Sequence, residues 1–269
     1  MPVFQHDGIA FSYREAGTGA PFFFQHGLGG DIDQPFGLVD PPAGIRMIAF
    51  DCRAHGNTQP LGDPAKISIG MFADDLLALM DQLDLKEAVV GGISMGAAVA
   101  LNFALRYPAR MTGLVLSRPA WLAEPNRDNA ETFNLIAKLL KTHGAKGGKA
   151  RFLESDLYRQ VMTESIDVAN SLCGQFDNPH AVERAIRLEQ IPLDQPCSSL
   201  DEPAAIRVPT LVMSNRQDPI HPFHFGEILA GAIPGAVFRE LTPKSVDAAR
   251  HTADYQTHLG EFFRLTGAE

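Results

Sequence analysis

The sequence predicts an α/β fold in which a mostly parallel sheet is covered by helices on both faces. Short, wholly apolar runs recur along the chain, for example at residues 22–24 and 45–50, and strands inside a parallel sheet are apolar on both faces. Stretches with helical periodicity separate these runs, and that alternation is typical of parallel sheets. We therefore expect the reactive groups at the carboxyl ends of the strands.

The composition is that of an ordinary globular protein and narrows the range of partners. Of the 269 residues, 45% are hydrophobic and 20% are charged, as in typical soluble domains. The formal net charge of −9 opposes binding to nucleic acid or to an anionic membrane surface. We therefore expect no nucleic-acid partner and no membrane partner. The motifs of the chain, and not its charge, predict a small-molecule substrate. Nothing in the sequence indicates an oligomeric state.

The cysteines and the first residues predict a cytoplasmic protein. Cys52, Cys173 and Cys197 are an odd number without paired spacing, which favours reduced thiols over a disulfide framework or a zinc site. The first seven residues lack the basic segment and apolar core of a signal peptide. No stretch approaches the roughly 20 apolar residues that a membrane helix needs.

The first third of the chain predicts a hairpin, two buried strands and a helix. The hairpin joins residues 2–5 to residues 9–14 through the turn pair Asp7-Gly8, a common two-residue turn. The apolar runs at 22–24 and 45–50 are the two strands. Ser68 is expected to cap a helix whose apolar face extends to residue 83.

A glycine-rich turn lies between a predicted strand (88–90) and a predicted helix (97–107). Its Gly92-x-Ser94-x-Gly96 sequence fits G-x-S-x-G, the sharp strand-to-helix turn that presents a nucleophilic serine. The glycines are needed because so tight a reversal leaves no room for side chains beside the serine. Ser94 is therefore the predicted nucleophile.

The second half of the chain predicts an insertion into the sheet. After a strand at 113–116, residues 119–202 are polar and helical, with a Lys/Gly-rich break at 141–149 and no strand pattern. We interpret this stretch as a helical lid that supplies most of the apolar wall of the pocket. Residues 1–118 and 203–269 then form one core, which is completed by strands at 210–213 and 236–241 and helices at 223–232 and 247–265.

Several motifs, in order, resemble those of the α/β-hydrolase superfamily over nearly the whole chain. Besides the double-stranded start they are His26-Gly27, Asp51-x-Arg53-x-His55-Gly56, Gly92-x-Ser94-x-Gly96 and Asp218-Pro219. The resemblance implies the α/β-hydrolase fold with a helical lid. Within the superfamily the chain is similar to small cofactor-free esterases, enol-lactone hydrolases and carbon–carbon bond hydrolases.

The resemblance also implies a role for each matching residue. Ser94 corresponds to the nucleophile, and Asp218 to the acid that orients the catalytic histidine. The backbone N–H groups of Leu28 and Met95 correspond to the oxyanion hole. The resemblance implies loop-shaping roles for His26, Asp51, Arg53 and His55.

The catalytic histidine does not stand where the superfamily places it, in the loop after the last strand. Residues 241–247 contain no histidine, and a serine hydroxyl is a poor nucleophile without a base. His251, in the first turns of the last helix, is our predicted base. Three alternatives remain: His221 substitutes, Lys244 acts with its pKa lowered by burial, or no base exists.

We therefore predict a serine hydrolase that acts on small esters, lactones or related carbonyl compounds. The predicted site is Ser94, Asp218 and His251, with Leu28 and Met95 as the oxyanion hole. The alternative is a non-hydrolytic member of the superfamily that binds a small molecule. No cofactor and no metal are implied, because the histidines show no metal-ligand spacing.

Overall fold

The computed structural model describes residues 1–267, which contain eight strands and nine α-helices. The strands are β1 (Val3–His6), β2 (Ile9–Gly17), β3 (Ala20–Gln25), β4 (Ile45–Phe50), β5 (Ala88–Ile93), β6 (Met111–Ser117), β7 (Thr210–Ser214) and β8 (Val237–Glu240). The helices are α1 (Asp33–Leu38), α2 (Ile69–Gln82), α3 (Met95–Arg106), α4 (Arg127–Leu153), α5 (Asp156–Glu164), α6 (Ile166–Gly174), α7 (Ile186–Gln190), α8 (Phe223–Ala232) and α9 (Ala248–Thr266).

The eight strands form one sheet in the order β1-β2-β4-β3-β5-β6-β7-β8. The pairs β1–β2 and β2–β4 are antiparallel, and all other neighbours are parallel. The predicted α/β fold with a mostly parallel sheet is therefore confirmed. The carboxyl ends of β3, β5, β6 and β7 lie side by side, and the loops that leave them share one edge of the sheet.

A hydrophobic core lies on each face of the sheet, as side-chain alternation along a strand requires. Phe22 and Phe24 pack into the smaller core, beneath α9. Phe23, between them, packs into the larger core with residues of α2 and α3. The wholly apolar run at 22–24 is thus buried on both faces, which is why it gave a strong strand signal.

Most predicted elements are present, and two differences have a physical cause. The short helix α1 was not predicted, because Pro35 and Gly37 obscure its pattern. The predicted break at 141–149 is instead a kink inside α4, where Gly144 adopts φ +69°. The predicted caps are present: Ser68 Oγ accepts from Met71 N–H at 3.2 Å.

The segment between β6 and β7 contains α4 to α7 and no strand in the described chain. Its Arg184 is buried and donates from Nη1 to the Gly56 carbonyl at 2.7 Å and from Nη2 to the Thr58 carbonyl at 2.9 Å. These bonds attach the segment to the loop after β4. Within residues 1–267, no helix combines the length and the apolar character that crossing a bilayer requires.

Candidate active site

Ser94 stands at a strained turn between β5 and α3. Its backbone has φ +57° and ψ −112°, a conformation that costs a non-glycine residue about 1–3 kcal/mol. The turn is held because Ser94 N–H donates to the Ser117 carbonyl at 2.9 Å and its carbonyl accepts from Ala98 N–H at 3.1 Å. A strained serine at the carboxyl end of a central strand is the arrangement that the G-x-S-x-G pattern predicts.

The two glycines of the motif are required by close backbone contacts. A Cβ atom on Gly92 would overlap the backbone of Gly96. A Cβ atom on Gly96 would overlap the carbonyl of Gln25, at the end of the neighbouring strand β3. The turn therefore packs directly against the adjacent strand, with backbone touching backbone.

Ser94 lines a cavity of about 270 Å³ at the carboxyl edge of the sheet, below the 300–1,000 Å³ usual for ligand pockets. The core lines it with Gly27, Leu28, Gly29, Gln34, Ile93, Ser94, Arg118, Ile220, His221 and Lys244. The segment between β6 and β7 lines it with Phe133, Asp167, Val168, Asn170, Ser171, Leu172 and Gln175. That segment supplies three of the six large apolar residues, so the expectation that it supplies most of the apolar wall is wrong.

Asp218, in the loop after β7, is buried and heavily hydrogen-bonded. Its Oδ2 accepts from Arg118 Nε at 3.0 Å and Nη2 at 2.6 Å, and its Oδ1 accepts from the Ile220 and His221 N–H groups. Burial alone would raise the pKa of Asp218, but the His221 and Arg118 side chains hold it well below its usual value. Asp218 is therefore a fixed carboxylate at neutral pH.

His221 connects Asp218 to the cavity that Ser94 lines. Its Nδ1 lies 2.9 Å from both oxygens of Asp218, and its Nε2 is buried without a hydrogen-bond partner among residues 1–267. Arg118 Nη2 also lies 3.2 Å from Nδ1. The two carboxylate oxygens favour a proton on Nδ1, because a lone pair there would face their negative charge. That tautomer leaves Nε2 as a free lone pair.

The pKa of His221 is lowered, chiefly because burial disfavours the charged ring. The neighbouring Arg118 lowers this pKa further, whereas Asp218 raises it. The net result is a ring that stays neutral at neutral pH. A neutral ring with a free Nε2 has the form that a general base requires.

His251 lies in the first turn of α9 and is not among the residues that line the cavity. Its Nδ1 lies 2.7 Å from the Thr242 carbonyl, and its ring packs edge-to-face against Tyr255. The pKa of His251 is lowered, mainly by burial. Within residues 1–267 it has no hydrogen bond to Ser94 or Asp218, so its role as the base stays a prediction without geometric support.

Lys244 occupies the loop between β8 and α9, where the superfamily resemblance leads one to expect a histidine. Its Nζ lies 3.0 Å from Asp167 Oδ1, and its side chain is half-exposed. Both members of this ion pair line the cavity. An ammonium group paired with a carboxylate in this way has no lone pair to accept a proton from Ser94.

The two residues predicted to supply oxyanion donors, Met95 and Leu28, lie in the segments that follow β5 and β3. Met95 is the first residue of α3 and is buried, so its N–H is one of the free donors at a helix start. Leu28 lines the cavity, in the loop after β3. His55 Nε2 lies 3.0 Å from the Leu28 carbonyl. This contact holds the peptide between Leu28 and Gly29 in place.

The remaining motif residues hold the loops beside the site. Asp51 accepts from the N–H groups of Ile32 at 2.8 Å and Asn57 at 2.7 Å. His26 Nε2 accepts from Cys52 N–H at 3.1 Å. Within the described residues, no group of three or more His, Cys, Asp or Glu side chains is placed to hold a metal ion.

Comparison with known proteins decides the family. A family model of the alpha/beta hydrolase fold matches residues 20–146. A protein of Pseudomonas syringae pv. syringae, named as a candidate carbamate hydrolase, is 31% identical over 195 residues, which are 71% of this chain and 72% of that protein. The chain belongs to the α/β-hydrolase family. The predicted superfamily is thus confirmed, and so is the prediction of a hydrolase at the level of the family.

Solved structures of α/β-hydrolases match the fold over nearly the whole chain. An enol-lactonase from Burkholderia xenovorans LB400 has a TM-score of 0.77 at 23% identity, covering 98% of this chain and 100% of that one. A carboxylesterase structure from Nitrososphaera gargenis has a TM-score of 0.79 at 17% identity, covering 99% of each chain. At these identities the likeness establishes the shared fold.

Sequence reasoning missed several polar side chains that the fold brings to the cavity, among them Arg118, Gln34 and Gln175. None of them belongs to a recognisable motif. Arg118 had one available signal, since it is the charged residue that directly follows the apolar run of β6. His221 was considered because it follows Asp218 by three positions, and the structure places both side chains in contact.

Proposed function

We propose that this α/β-hydrolase is a serine hydrolase of small carboxylic esters, lactones or related carbonyl compounds. The carrying observation is that His221 joins Asp218 to the cavity of Ser94, with Nδ1 at 2.9 Å from the carboxylate and Nε2 unpaired. A serine, a neutral imidazole and a buried carboxylate are the three groups that acyl transfer needs.

In the proposed first step, Ser94 Oγ attacks the substrate carbonyl while His221 Nε2 takes the hydroxyl proton. The Leu28 and Met95 N–H groups stabilise the negative oxygen of the tetrahedral intermediate. The bond to the leaving oxygen then breaks, and His221 returns the proton to that oxygen. The products of this step are an alcohol and an acyl ester on Ser94.

In the second step, water replaces the alcohol and the same groups act in the reverse sense. His221 Nε2 takes a proton from water, the hydroxide attacks the acyl carbonyl, and the proton passes to Ser94 Oγ as the ester bond breaks. Asp218 stays ionised and stabilises the imidazolium that forms in each step. The net reaction is ester plus water to acid plus alcohol.

We assign the base to His221 in preference to His251, our prediction from the sequence. His221 lines the cavity and contacts Asp218, whereas His251 does neither. Lys244 is the weaker alternative because its Nζ is engaged by Asp167. Asp218 keeps its predicted role as the acid that orients the base.

We also propose that residues 119–202 act as the lid that sets substrate preference. Seven of the cavity residues come from this segment, among them Phe133 on α4. Phe133→Ala should enlarge the cavity and shift the preferred acyl chain of 4-nitrophenyl esters to greater length. An unchanged chain-length profile would contradict the lid assignment.

The test of the hydrolase proposal is labelling and turnover at Ser94. The wild type should hydrolyse 4-nitrophenyl acetate and should be labelled at Ser94 by a fluorophosphonate probe, and Ser94→Ala should lose both. Ser117→Ala, in the neighbouring strand, is the matched control and should be labelled like the wild type. A wild type that neither turns over activated esters nor reacts with the probe would favour the alternative, a protein that binds a small molecule without hydrolysis.

The cytoplasm remains our proposal for the location. Cys52, Cys173 and Cys197 are buried and form no disulfide, and free thiols persist in reducing compartments. Cell fractionation that finds the protein outside the cytoplasmic fraction would contradict this proposal.

A further inference from the structure

Several polar side chains of the cavity have hydrogen-bond donors that the protein itself leaves unused. Gln34 Oε1 accepts from Gly27 N–H at 2.7 Å, and a backbone N–H can only donate. The oxygen of Gln34 is therefore engaged by the protein. Its amide Nε2 has no acceptor among residues 1–267 and is free to donate into the cavity.

Gln175 is oriented in the same way from the lid side. It is buried, and its Oε1 accepts from Arg187 Nη2 at 3.1 Å. Guanidinium nitrogens only donate, so this contact fixes the amide and leaves Nε2 as the free end. Gln175 Nε2 lies where a Cβ atom on Gly29 would overlap it, beside the loop that carries Leu28.

Two cationic side chains add further donors. Arg118 uses Nε and Nη2 on Asp218, and its Nη1 makes no hydrogen bond within the described chain. Lys244 Nζ has three N–H groups, and it pairs with Asp167. Both side chains line the cavity, so four residues present unused donors to whatever binds there.

Side-chain acceptors also line this space, namely Asp167, Ser94, His221 and the exposed Asn170 and Ser171. Asn170 and Ser171 are uncharged and can donate as well as accept. Asp167 is the one carboxylate among the lining residues, and it forms an ion pair with Lys244. Ser94 and His221 are engaged in the proposed chemistry. A ligand must therefore supply acceptors, and a carboxylate supplies about four lone pairs in a small volume. A buried carboxylate also needs charged or polar donors around it to offset its desolvation.

From this donor set we propose that the substrate carries a carboxylate of its own, bound by Lys244 and Arg118 with support from Gln175 and Gln34. Turnover of such a substrate rests on the proposed hydrolase activity. Binding of its carboxylate does not depend on that activity. Asp167 competes with the substrate for Lys244. Its removal should therefore strengthen the preference for acidic substrates.

The first test compares matched acidic and neutral esters. One pair carries the charge on the acyl part, mono-4-nitrophenyl glutarate and its methyl ester, and the other on the leaving group, 4-acetoxybenzoate and its methyl ester. The kcat/KM of each ester is divided by the rate constant for its reaction with hydroxide, which corrects for the intrinsic reactivity of the ester. The wild type should prefer the acid about tenfold or more in at least one pair. A preference for the neutral ester in both pairs, or none in either, would overturn the proposal.

Variants then assign the preference to particular residues. Lys244→Met should reduce the acid-to-neutral ratio of kcat/KM about tenfold, and Asp167→Asn should raise it. The acid-to-neutral ratio of the double variant D167N/K244M should be lower than that of D167N. Because Asp167 is absent from both proteins, this drop cannot come from an Asp167 carboxylate left without its lysine. Lys141 and Glu189 form the matched control, a half-exposed ion pair at 2.6 Å that does not line the cavity. Lys141→Met should leave the ratio unchanged. Equal effects of K141M and K244M would contradict the assignment.

A binding measurement separates this proposal from the hydrolase proposal. Ser94→Ala protein should bind glutarate in calorimetry more tightly than dimethyl glutarate, and K244M in that background should lose the difference. If glutarate binds in this way but no ester is turned over, the hydrolase proposal fails and the carboxylate site stands. If neutral esters are hydrolysed but glutarate does not bind, the carboxylate site alone fails.

Discussion

His221 Nδ1 lies 2.9 Å from both carboxylate oxygens of Asp218, three positions earlier in the same loop. The acid and the proposed base are therefore placed by one short segment after β7, and their relative position does not depend on the loop after β8. This arrangement explains how residues 241–247 can lack a histidine without loss of a base. The loop after β8 instead contributes Lys244 to the cavity.

The first prediction concerns the identity of the base. His221→Ala should lower kcat/KM for 4-nitrophenyl acetate by about 10²–10⁴-fold, the usual contribution of a general base. His251→Ala should lower it less than tenfold, since His251 contacts the Thr242 carbonyl and not Asp218. Steady-state kinetics of both variants, with melting curves to show that they fold, checks this. The reverse ranking would restore His251 as the base.

The second prediction concerns pH. Because burial lowers the pKa of His221 from its ordinary 6.5, the ring should stay neutral and active at lower pH than an ordinary histidine. The acid limb of kcat/KM for a neutral ester should therefore have its midpoint below about 6.5. Activity falls as the pH drops through this midpoint, since protonation occupies Nε2.

Arg118 should set part of this midpoint. Its charge lowers the pKa of His221 and it shares Asp218 with that ring. Arg118→Met should therefore move the acid limb to higher pH, because the ring loses a positive neighbour and gains a less compensated carboxylate. Arg216→Met is the control, an exposed arginine near the same loop that pairs with Glu240, and its pH profile should match the wild type. A downward shift in R118M would contradict the assigned geometry.

The main features of the fold could be predicted from local patterns, whereas much of the cavity could not. The run at 22–24 is apolar because it is buried on both faces, and Ser94 sits in a motif whose glycines meet backbone atoms. By contrast, Gln34 and Gln175 face the cavity because Gly27 N–H and Arg187 engage their oxygens. Such orientation depends on contacts between distant segments, and no local pattern in the chain records it.

The histidine problem shows the same limit at a single site. The sequence placed His251 near the expected loop, and the helix periodicity of α9 then rotates it against Tyr255 and the Thr242 carbonyl. His221 lies in a loop with two prolines, where no periodicity predicts the direction of a side chain. Its position follows from the folded loop, in which Asp218 holds Nδ1 and the ring lines the cavity.

The third prediction concerns strain at Ser94, the proposed nucleophile. Ser94→Gly should unfold at a higher denaturant concentration than Ser94→Ala, since glycine tolerates φ +57° and alanine does not. The expected difference is about 1–3 kcal/mol, the cost of a non-glycine residue in such a conformation. Urea unfolding of the two inactive variants measures it. Equal stabilities would show that the turn is not strained.

The last prediction concerns Arg187, which is buried below the cavity and has no carboxylate partner in the described chain. Burial, together with nearby Arg184, lowers the pKa of Arg187 to about 9, a sign that its charge is poorly compensated. Its Nε has no hydrogen-bond partner among residues 1–267, and Nη2 donates to Gln175 Oε1. Gln175→Glu would place a carboxylate against this cation without a change of shape.

That substitution should stabilise the fold and impair the enzyme. The new carboxylate must be desolvated, but it also gives a counter-charge to a buried cation that has none, and an uncompensated buried charge costs about 3–5 kcal/mol. The melting temperature should therefore rise. The cavity would lose the Nε2 donor of Gln175 and gain a negative charge, so kcat/KM for acidic esters should fall about tenfold relative to their methyl esters. Gln190→Glu, on the neighbouring helix α7 and outside the cavity, is the control and should leave that ratio unchanged. A Gln175→Glu protein that melts lower, or that keeps the wild-type ratio, would show that Gln175 does not connect Arg187 to the cavity as its hydrogen bond indicates.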